Sequence, residues 1–191
     1  MFKRLTAAVS KVAIRFADRV QVYPSPPFVC FCSLAPKIRG EEADKVAGLL
    51  KKGDVILSRW DRYVTSRAVP GFWSHCGIAS GKKKVIHAAL DGVIEDHVLD
   101  FLRTDWVMIL RMGGDDAEDA RRKAVAVARD ARGREYDYLF DGCDPKAVYC
   151  FELVRMAYPV VPEKMRILAK DIIDAPGFEP VFDSREWRKE R

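Results

Sequence analysis

Cys150, His75 and His87 are the residues of this chain whose types and spacing could support nucleophilic chemistry. From Phe151 to Ala157 the apolar side chains recur at helical spacing, which predicts a short buried helix that begins at or beside Cys150. Unpaired N–H groups and the helix dipole at such a start favour an anion, so the thiol is shifted toward the thiolate that attacks carbonyl carbons. The alternative is that Cys150 is a small buried hydrophobic residue, the usual role of a free cysteine.

The two histidines lie in segments predicted to be neighbouring strands, 12 residues apart, with a tight turn near Gly81 between them. If the strands pair antiparallel about Gly81, His75 and His87 lie directly opposite each other on one face of the sheet. Two imidazoles that face Cys150 would supply a base for the thiol and a second group that orients this base. The alternatives are a polar pair satisfied locally and a metal site, for which the ligands are too few.

The other four of the five cysteines, Cys30, Cys32, Cys76 and Cys143, are not expected to take part in the chemistry. Neighbours on a strand point to opposite faces, so Cys76 should point away from His75 and pack as core. The cysteines form no Cys-x-x-Cys pair, and an odd count cannot be fully bridged within one chain. This usage indicates a reducing compartment, with the cytoplasm as the default location.

Length and composition indicate one globular domain with an ordinary core. The chain has 191 residues, of which 49% are hydrophobic and 32% are charged. Its net charge of +5 is too small and too dispersed to indicate a nucleic-acid partner, and no nucleic-acid-binding motif accompanies it. No apolar run approaches the roughly 20 residues that a membrane-spanning helix needs. No cofactor is predicted.

Residues 3–22 are predicted to form an amphipathic helix with basic residues on one side. Its apolar stripe contains Leu5, Val9, Val12, Phe16 and Val20. The simplest interpretation is that this stripe packs on the domain. The basic face also permits peripheral attachment to a membrane surface, which would make the protein membrane-associated. Prolines 24, 26 and 27 end the helix, and an apolar arm over 28–34 follows.

From residue 41 onward, the sequence pattern predicts both helices and strands. Helices are predicted at 41–50 and 117–131, and a loop or short helix at 59–70. A basic turn at 81–84 separates two of the strands, and the charged residues 184–191 are predicted to fray. The strands are predicted at 54–58, 73–79, 85–89, 93–97 and 106–112.

Six stretches occur in the order seen in a known family of cysteine enzymes. They are Gly53 to Leu57, Gly71 to Ile78, Val85 to Ala88, Gly92-Val93, Tyr136 to Phe140 and Tyr149 to Val154. Over roughly residues 50–160 the chain resembles the YiiX/YaeF-like permuted papain-like amidases, which belong with the NlpC-like cysteine peptidases and are similar to the lecithin:retinol acyltransferase group. The ordered set is far more specific than any one stretch.

The resemblance implies an α+β fold, a circularly permuted papain-like fold in which the nucleophile helix packs on an antiparallel sheet. Together with the sequence pattern outside this match, which does not cover the first 40 residues, three segments are expected: an N-terminal helix and arm (1–40), the catalytic domain (41–183) and a charged tail (184–191). Cys150 would be the nucleophile, His75 its base and His87 the orienting group. The backbone N–H of Cys150 would help to bind the oxyanion. An assisting tyrosine is common in related enzymes, but neither Tyr63 nor Tyr149 is assigned.

The substrate implied is a small molecule, peptide or lipid with an amide or ester bond, cleaved through an acyl-enzyme. An amidase or peptidase is the first interpretation. Many permuted amidases have an acidic residue at the position of His87, whereas a second histidine is more like the acyltransferase branch. A lipid acyltransferase or lipase is therefore the alternative, and a non-catalytic binding module on the same fold is another.

Overall fold

The structure is a computed structural model that describes residues 2–17, 20–24, 27–30 and 36–190. Its helices are α1 (Phe2–Ala17), α2 (Glu41–Leu49), α3 (Val64–Ala68), α4 (Val98–Phe101), α5 (Ala117–Asp130), α6 (Cys150–Ala157), α7 (Ala169–Ile173) and α8 (Ser184–Trp187). Its strands are β1 (Gln21–Pro24), β2 (Pro27–Cys30), β3 (Val55–Arg59), β4 (His75–Gly81), β5 (Lys84–Ala89), β6 (Gly92–His97), β7 (Trp106–Met112), β8 (Glu135–Tyr136), β9 (Ala147–Val148) and β10 (Phe178–Asp183).

Six strands form one antiparallel sheet in the order β10-β7-β3-β4-β5-β6. The five predicted strands all belong to it, within two residues of the predicted limits. The α+β fold with an antiparallel sheet is thereby confirmed. β3, β4 and β5 bury successive side chains on both faces of the sheet, so their sequences are largely apolar and could be predicted as strands.

The sheet has a separate hydrophobic core on each face. One core joins Leu57, Cys76 and Ile78 of the sheet to α5 and α6. The other joins Ile56 and Val85 to α2, α4 and α8. Alternate residues of one strand therefore serve different cores. Cys150 and Cys76 belong to the first core, whereas Phe101, the aromatic residue of α4, belongs to the second.

The hairpin of β4 and β5 carries both histidines on one face, but the predicted register is wrong by two residues. Ile78 pairs with Ile86 and Ala79 with Val85, so the same register places His87 across from Gly77 and not from His75. The hairpin is centred further along the chain because Lys82 and Lys83 form its tip and a bulge lies between Ala79 and Gly81. A shift of two residues keeps both histidines on the same face.

The N-terminal helix is shorter than predicted and docks by a different side. α1 ends at Ala17, and β1 and β2 then form a hairpin, while residues 31–35 of the predicted arm lie outside the described residues. Arg15 attaches the helix by an ion pair to Asp91 and by hydrogen bonds to the Tyr138 hydroxyl (3.3 Å) and the Leu90 carbonyl (3.4 Å). Of the predicted apolar stripe, Val9, Val12 and Phe16 are exposed, whereas Val20 is half-buried. Within the described ranges, no helix is both long and apolar enough to cross a membrane.

The C-terminal segment does not fray as predicted, because it forms α8 and closes the second core. The Ser184 hydroxyl accepts a hydrogen bond from the Val107 N–H (2.9 Å), and Trp187 packs against the core. Arg188 donates two hydrogen bonds to Oε2 of the buried Glu42, at 3.1 and 2.9 Å. These contacts connect the end of the chain to β7 and α2.

The tip of the β4–β5 hairpin stores backbone strain that a substitution can remove. Lys82 and Lys83 both have positive φ, 54° and 59°, which two-residue hairpin turns require and asparagine and glycine adopt more easily. Lys82→Asn with Lys83→Gly should raise the free energy of unfolding by about 1–2 kcal/mol, measured by urea denaturation. Lys82→Ala with Lys83→Ala removes the same charges without easing the backbone. An equal gain in this control would mean that charge repulsion, and not backbone conformation, limits the turn.

Candidate active site

Cys150 is the first residue of α6, as the sequence predicted. The preceding Tyr149 is extended (φ −99°, ψ 168°), so the helix begins abruptly at the cysteine. The N–H groups of the first turn have no acceptor within a helix, and together with the helix dipole they favour a negative charge beside them. Cys150 is almost fully buried, with 3% exposure, and it borders a cavity that opens to the surface.

The surroundings of Cys150 lower the pKa of its thiol well below the ordinary value. The largest cause is a hydrogen bond from the Cys76 thiol, followed by the charge and the hydrogen bond of the His75 imidazole, and these outweigh burial. Burial raises the pKa of Cys76 well above its ordinary value, so Cys76 remains the donor. Cys76 packs in the core as predicted, but its direct contact with Cys150 was not expected from sequence.

His75, His87 and Asp96 form a hydrogen-bonded chain that leads away from Cys150. His75 Nε2 lies 2.9 Å from His87 Nδ1, and His87 Nε2 lies 3.2 Å from Asp96 Oδ2. A carboxylate only accepts, so the His87 proton belongs on Nε2, and its Nδ1 then accepts from His75 Nε2–H. This assignment leaves Nδ1 of His75 unprotonated, with a lone pair that can take the proton of Cys150.

His87 is held neutral by its burial. Burial and the neighbouring His75 lower its pKa from 6.5 to about 4, against the opposing influence of Asp96. Phe101 contributes to this enclosure, because its ring centroid lies 5.2 Å from that of His87 and 5.6 Å from that of His75. α4, which the sequence did not predict, therefore places an aromatic wall against both imidazoles.

Gly77 makes room for His87 on the neighbouring strand. A Cβ atom at Gly77 would lie 2.6 Å from the Val85 side chain, 3.0 Å from the Ile86 carbonyl oxygen and 3.1 Å from the His87 Cβ. Any side chain there would push β5 away from β4. The glycine two residues after His75 is thus a steric requirement for contact between the two imidazoles.

Two tyrosines stand next to Cys150. Burial and the neighbouring Cys150 and Cys76 raise the pKa of Tyr136 well above its ordinary value, so its hydroxyl stays protonated. Burial also raises the pKa of Tyr149, to about 12. The Tyr149 hydroxyl accepts a hydrogen bond from the Ile167 N–H (2.6 Å), while that of Tyr158, after α6, donates to the Gly53 carbonyl. Both tyrosines beside Cys150 also line the cavity, together with Tyr63.

The loop after β8 is held by one carboxylate. Asp137 accepts hydrogen bonds from four successive backbone N–H groups, those of Leu139, Phe140, Asp141 and Gly142, at 2.8 to 3.1 Å. Phe140 has a positive φ of 55° within this loop, and its ring forms part of the cavity wall. Asp137, the acidic residue between Tyr136 and Tyr138, therefore fixes the conformation of this loop and so the position of the Phe140 ring in the cavity wall.

A cavity of about 420 Å³ opens at the sulfur of Cys150. Its walls are mainly apolar or aromatic, and among the residues that the structure describes no aspartate or glutamate lines it. Arg166 and His75 are the lining residues that carry or can carry a positive charge. Examples of the apolar lining are Ile14, Trp60, Val69, Leu90, Phe140 and Phe151. His87 is not part of the lining, so it reaches the reaction site only through His75.

The structure brings together all three residues predicted from sequence and adds residues that were missed. Asp96 was missed although it lies on β6, opposite Val85, on the face that carries His87. Alternation along β6 could have placed it there, but the register of β5 with β6 was needed to bring it near. Tyr136 lay within a recognised stretch without an assigned role. Among residues 2–17, 20–24, 27–30 and 36–190, no group of three or more His, Cys, Asp or Glu side chains is arranged to hold a metal ion.

The Cys76 contact predicts an effect on the reactivity of Cys150. Cys76→Ala removes the thiol donor, so the pKa of Cys150 should rise and the pH midpoint of its alkylation by iodoacetamide should move upward. Mass spectrometry of the modified peptide assigns the reacting thiol. Cys143→Ala, which removes an exposed thiol, should leave the midpoint unchanged. An unchanged midpoint in Cys76→Ala would show that Cys76 only fills space.

The buried neutral His87 predicts that stability falls with acidity. Between pH 6.5 and about 4 the unfolded chain binds a proton that the folded protein excludes from His87. The free energy of unfolding should therefore decrease as the pH falls through this window, by about 3 kcal/mol from this group. His87→Gln should flatten the profile measured by urea denaturation, whereas His97→Gln, at an exposed histidine, should not. Parallel profiles for the wild type and His87→Gln would contradict this account.

Comparisons with known proteins identify the family. The family model described as "Permuted papain-like amidase enzyme, YaeF/YiiX, C92 family" matches residues 49–186. Among solved structures, the YiiX protein of Escherichia coli O157:H7, titled a metalloprotein, is similar with a TM-score of 0.60 and 18% identity. The similarity covers 70% of this chain and 97% of that one, and no curated protein matches the sequence. The chain belongs to the permuted papain-like amidase family, whose members are cysteine hydrolases of the amidase type.

Proposed function

We propose that Cys150, His75 and His87 are the catalytic group of a thiol hydrolase that cleaves the amide or ester bond of a substrate with an apolar acyl group. The observation that carries this proposal is the position of the Cys150 sulfur. It lies where the histidine chain ends and the apolar cavity begins, and its pKa is lowered there. A cysteine with only a packing role would instead have its pKa raised by burial.

In the proposed reaction the Cys150 proton passes to Nδ1 of His75, and the sulfur attacks the acyl carbon. The new C–S bond forms a tetrahedral intermediate, whose oxyanion can accept hydrogen bonds from the N–H of Cys150 and from the Tyr136 hydroxyl. The C–N or C–O bond then breaks, and the His75 proton goes to the leaving nitrogen or oxygen. Water attacks the thioester with His75 as base, which releases the carboxylic acid and restores the thiol.

His87 and Asp96 are proposed to be positioning residues in this reaction. When His75 becomes charged, its Nε2–H continues to donate to His87 Nδ1, while Asp96 fixes the His87 proton on Nε2. Because His87 resists protonation, it should not draw the proton away from His75. His75 therefore shuttles the proton, and the other two groups hold its ring at the correct orientation and tautomer.

The cavity is the reason to propose an apolar acyl group. A site for an amino acid would need an anionic partner for the ammonium group, and the described lining contains a guanidinium, an imidazole and hydroxyl groups but no carboxylate. Its volume of about 420 Å³ suits a hydrocarbon chain of moderate length. The apolar lining therefore favours a lipid-like acyl group, as in the acyltransferase or lipase alternative, over a peptide substrate. With water as acceptor the product is an acid; with an amine or alcohol the same thioester yields a transferred acyl group.

Hydrolysis of a matched series of p-nitrophenyl esters and anilides, from acetyl to dodecanoyl, tests the proposal. kcat/KM should rise with chain length, because a longer chain buries more apolar surface in the cavity. Cys150→Ala should abolish turnover, and His75→Ala should lower kcat/KM by about 10²–10⁴-fold. His87→Gln should cost less, because it keeps a hydrogen-bonding group beside His75. A chelator should leave the rate unchanged, since the thiol and imidazole supply the nucleophile and the base.

Intact-mass measurement after rapid quenching should show an acyl adduct on Cys150 and none on Cys143. Cys143→Ala is the matched control and should keep full activity, because this thiol is exposed on a loop. Retained turnover in Cys150→Ala would overturn the proposed nucleophile. The non-catalytic alternative makes a different prediction, which is ordinary thiol reactivity at mildly acidic pH with no turnover of any ester.

A further inference from the structure

The apolar stripe of α1 faces solvent. Val9, Val12 and Phe16 lie three to four residues apart and are 62%, 71% and 64% exposed, respectively. At this spacing they share one side of the helix. Large apolar side chains that are so exposed in a row are uncommon on a protein surface and mark an interaction site.

The adjoining side of α1, from Lys11 and Arg15 round to Ile14, attaches the helix to the domain. Ile14 lines the cavity, and Arg15 bonds to Asp91, to the Tyr138 hydroxyl and to the Leu90 carbonyl. Lys11 lies over the Tyr138 ring, with its Nζ 5.8 Å from the centroid. The orientation of the helix is therefore set by contacts that hold Val9 and Val12 outward. Packing on the domain does not account for the apolar stripe.

The charge of α1 indicates the chemistry of the surface it meets. The 16 residues Phe2–Ala17 contain four basic residues, Lys3, Arg4, Lys11 and Arg15, and no aspartate or glutamate. A protein partner that buried the valines would need an acidic surface of matching shape. Lys11 and Arg15 stay exposed although they also contact the domain. An anionic bilayer offers both requirements over any area, because its headgroups attract exposed basic side chains and its acyl chains accept the apolar ones.

We propose that α1 binds in the interfacial plane of an anionic phospholipid membrane, with Val9 and Val12 directed into the acyl region. The helix is about 24 Å long at the usual rise per residue, and its basic content prevents it from spanning. Because Ile14 lines the cavity from the other side of the same helix, the bilayer would lie beside the cavity that leads to Cys150. The binding itself does not depend on catalysis.

Cosedimentation of the full chain with vesicles tests this surface. Vesicles of phosphatidylcholine with roughly 30% phosphatidylserine should bind the protein, and those of phosphatidylcholine alone should bind it more weakly. Raising the salt concentration should reduce binding to the anionic vesicles. Val9→Ser with Val12→Ser should weaken the partition coefficient by about tenfold or more. The matched control, Leu99→Ser with Val160→Ser, removes two exposed apolar residues elsewhere and should bind like the wild type.

Three outcomes would overturn the proposal. The first is no binding to anionic vesicles, and the second is an equal loss in both double variants. The third is sedimentation of the wild type as a dimer that Val9→Ser with Val12→Ser dissociates, because the stripe would then be covered by a second copy. Cys150→Ala should bind vesicles like the wild type. Vesicle binding therefore tests the membrane proposal independently of the proposed thiol chemistry, which is tested by turnover.

Discussion

The neutrality of the buried His87 is the constraint on which the rest of the site depends. Since His87 cannot readily take a second proton, Asp96 fixes its one proton on Nε2, and Nδ1 must accept from His75. Only one nitrogen of His75 then remains for the thiol. The direction of proton movement is thus set at His87, the second side chain along the hydrogen-bonded chain from the sulfur, by the burial of His87 and by the Asp96 carboxylate.

The geometry that maintains this direction comes from both faces of the sheet. α6 presses Cys150 and Cys76 together on one face, while α4 encloses the imidazoles with Phe101 on the other. His75 is the first residue of β4, so its side chain can reach the end of α6 from the edge of the strand. The candidate site therefore lies where two cores meet, and loss of either core would separate His75, the proposed base, from Cys150, the proposed nucleophile.

Sequence reasoning succeeded where a pattern is repeated locally. The strands are short apolar runs between turn residues, and the helix after Cys150 has regular apolar spacing. The two histidines are an even number of residues apart, which places them on one face of a hairpin. These features were therefore predicted. The register of β4 with β5 was not, because it depends on two lysines that adopt positive φ and on a bulge with no sequence signature. The exposure of Val9 and Val12 was not predicted, because an apolar stripe along a helix does not show which side of the helix the domain will contact.

The missed site residues share a physical cause. Asp96 reaches His87 through strand pairing, and Cys76 reaches Cys150 through the packing of a helix on a strand. Neither contact is encoded by spacing along the chain. The alternating faces of β4 correctly separated Cys76 from His75, but both residues act on the pKa of Cys150, which begins α6.

The segment between Tyr158 and Ile167 has a consequence for how this enzyme scaffold can diversify. Its two ends are tethered by the hydroxyls of Tyr158 and Tyr149, whereas Met165, close to the second end, is 82% exposed. Residues 162–166 follow the buried Val161 and end at Arg166, which lines the cavity. Insertions or substitutions there can therefore reshape the rim of the cavity without moving Cys150 or the two histidines.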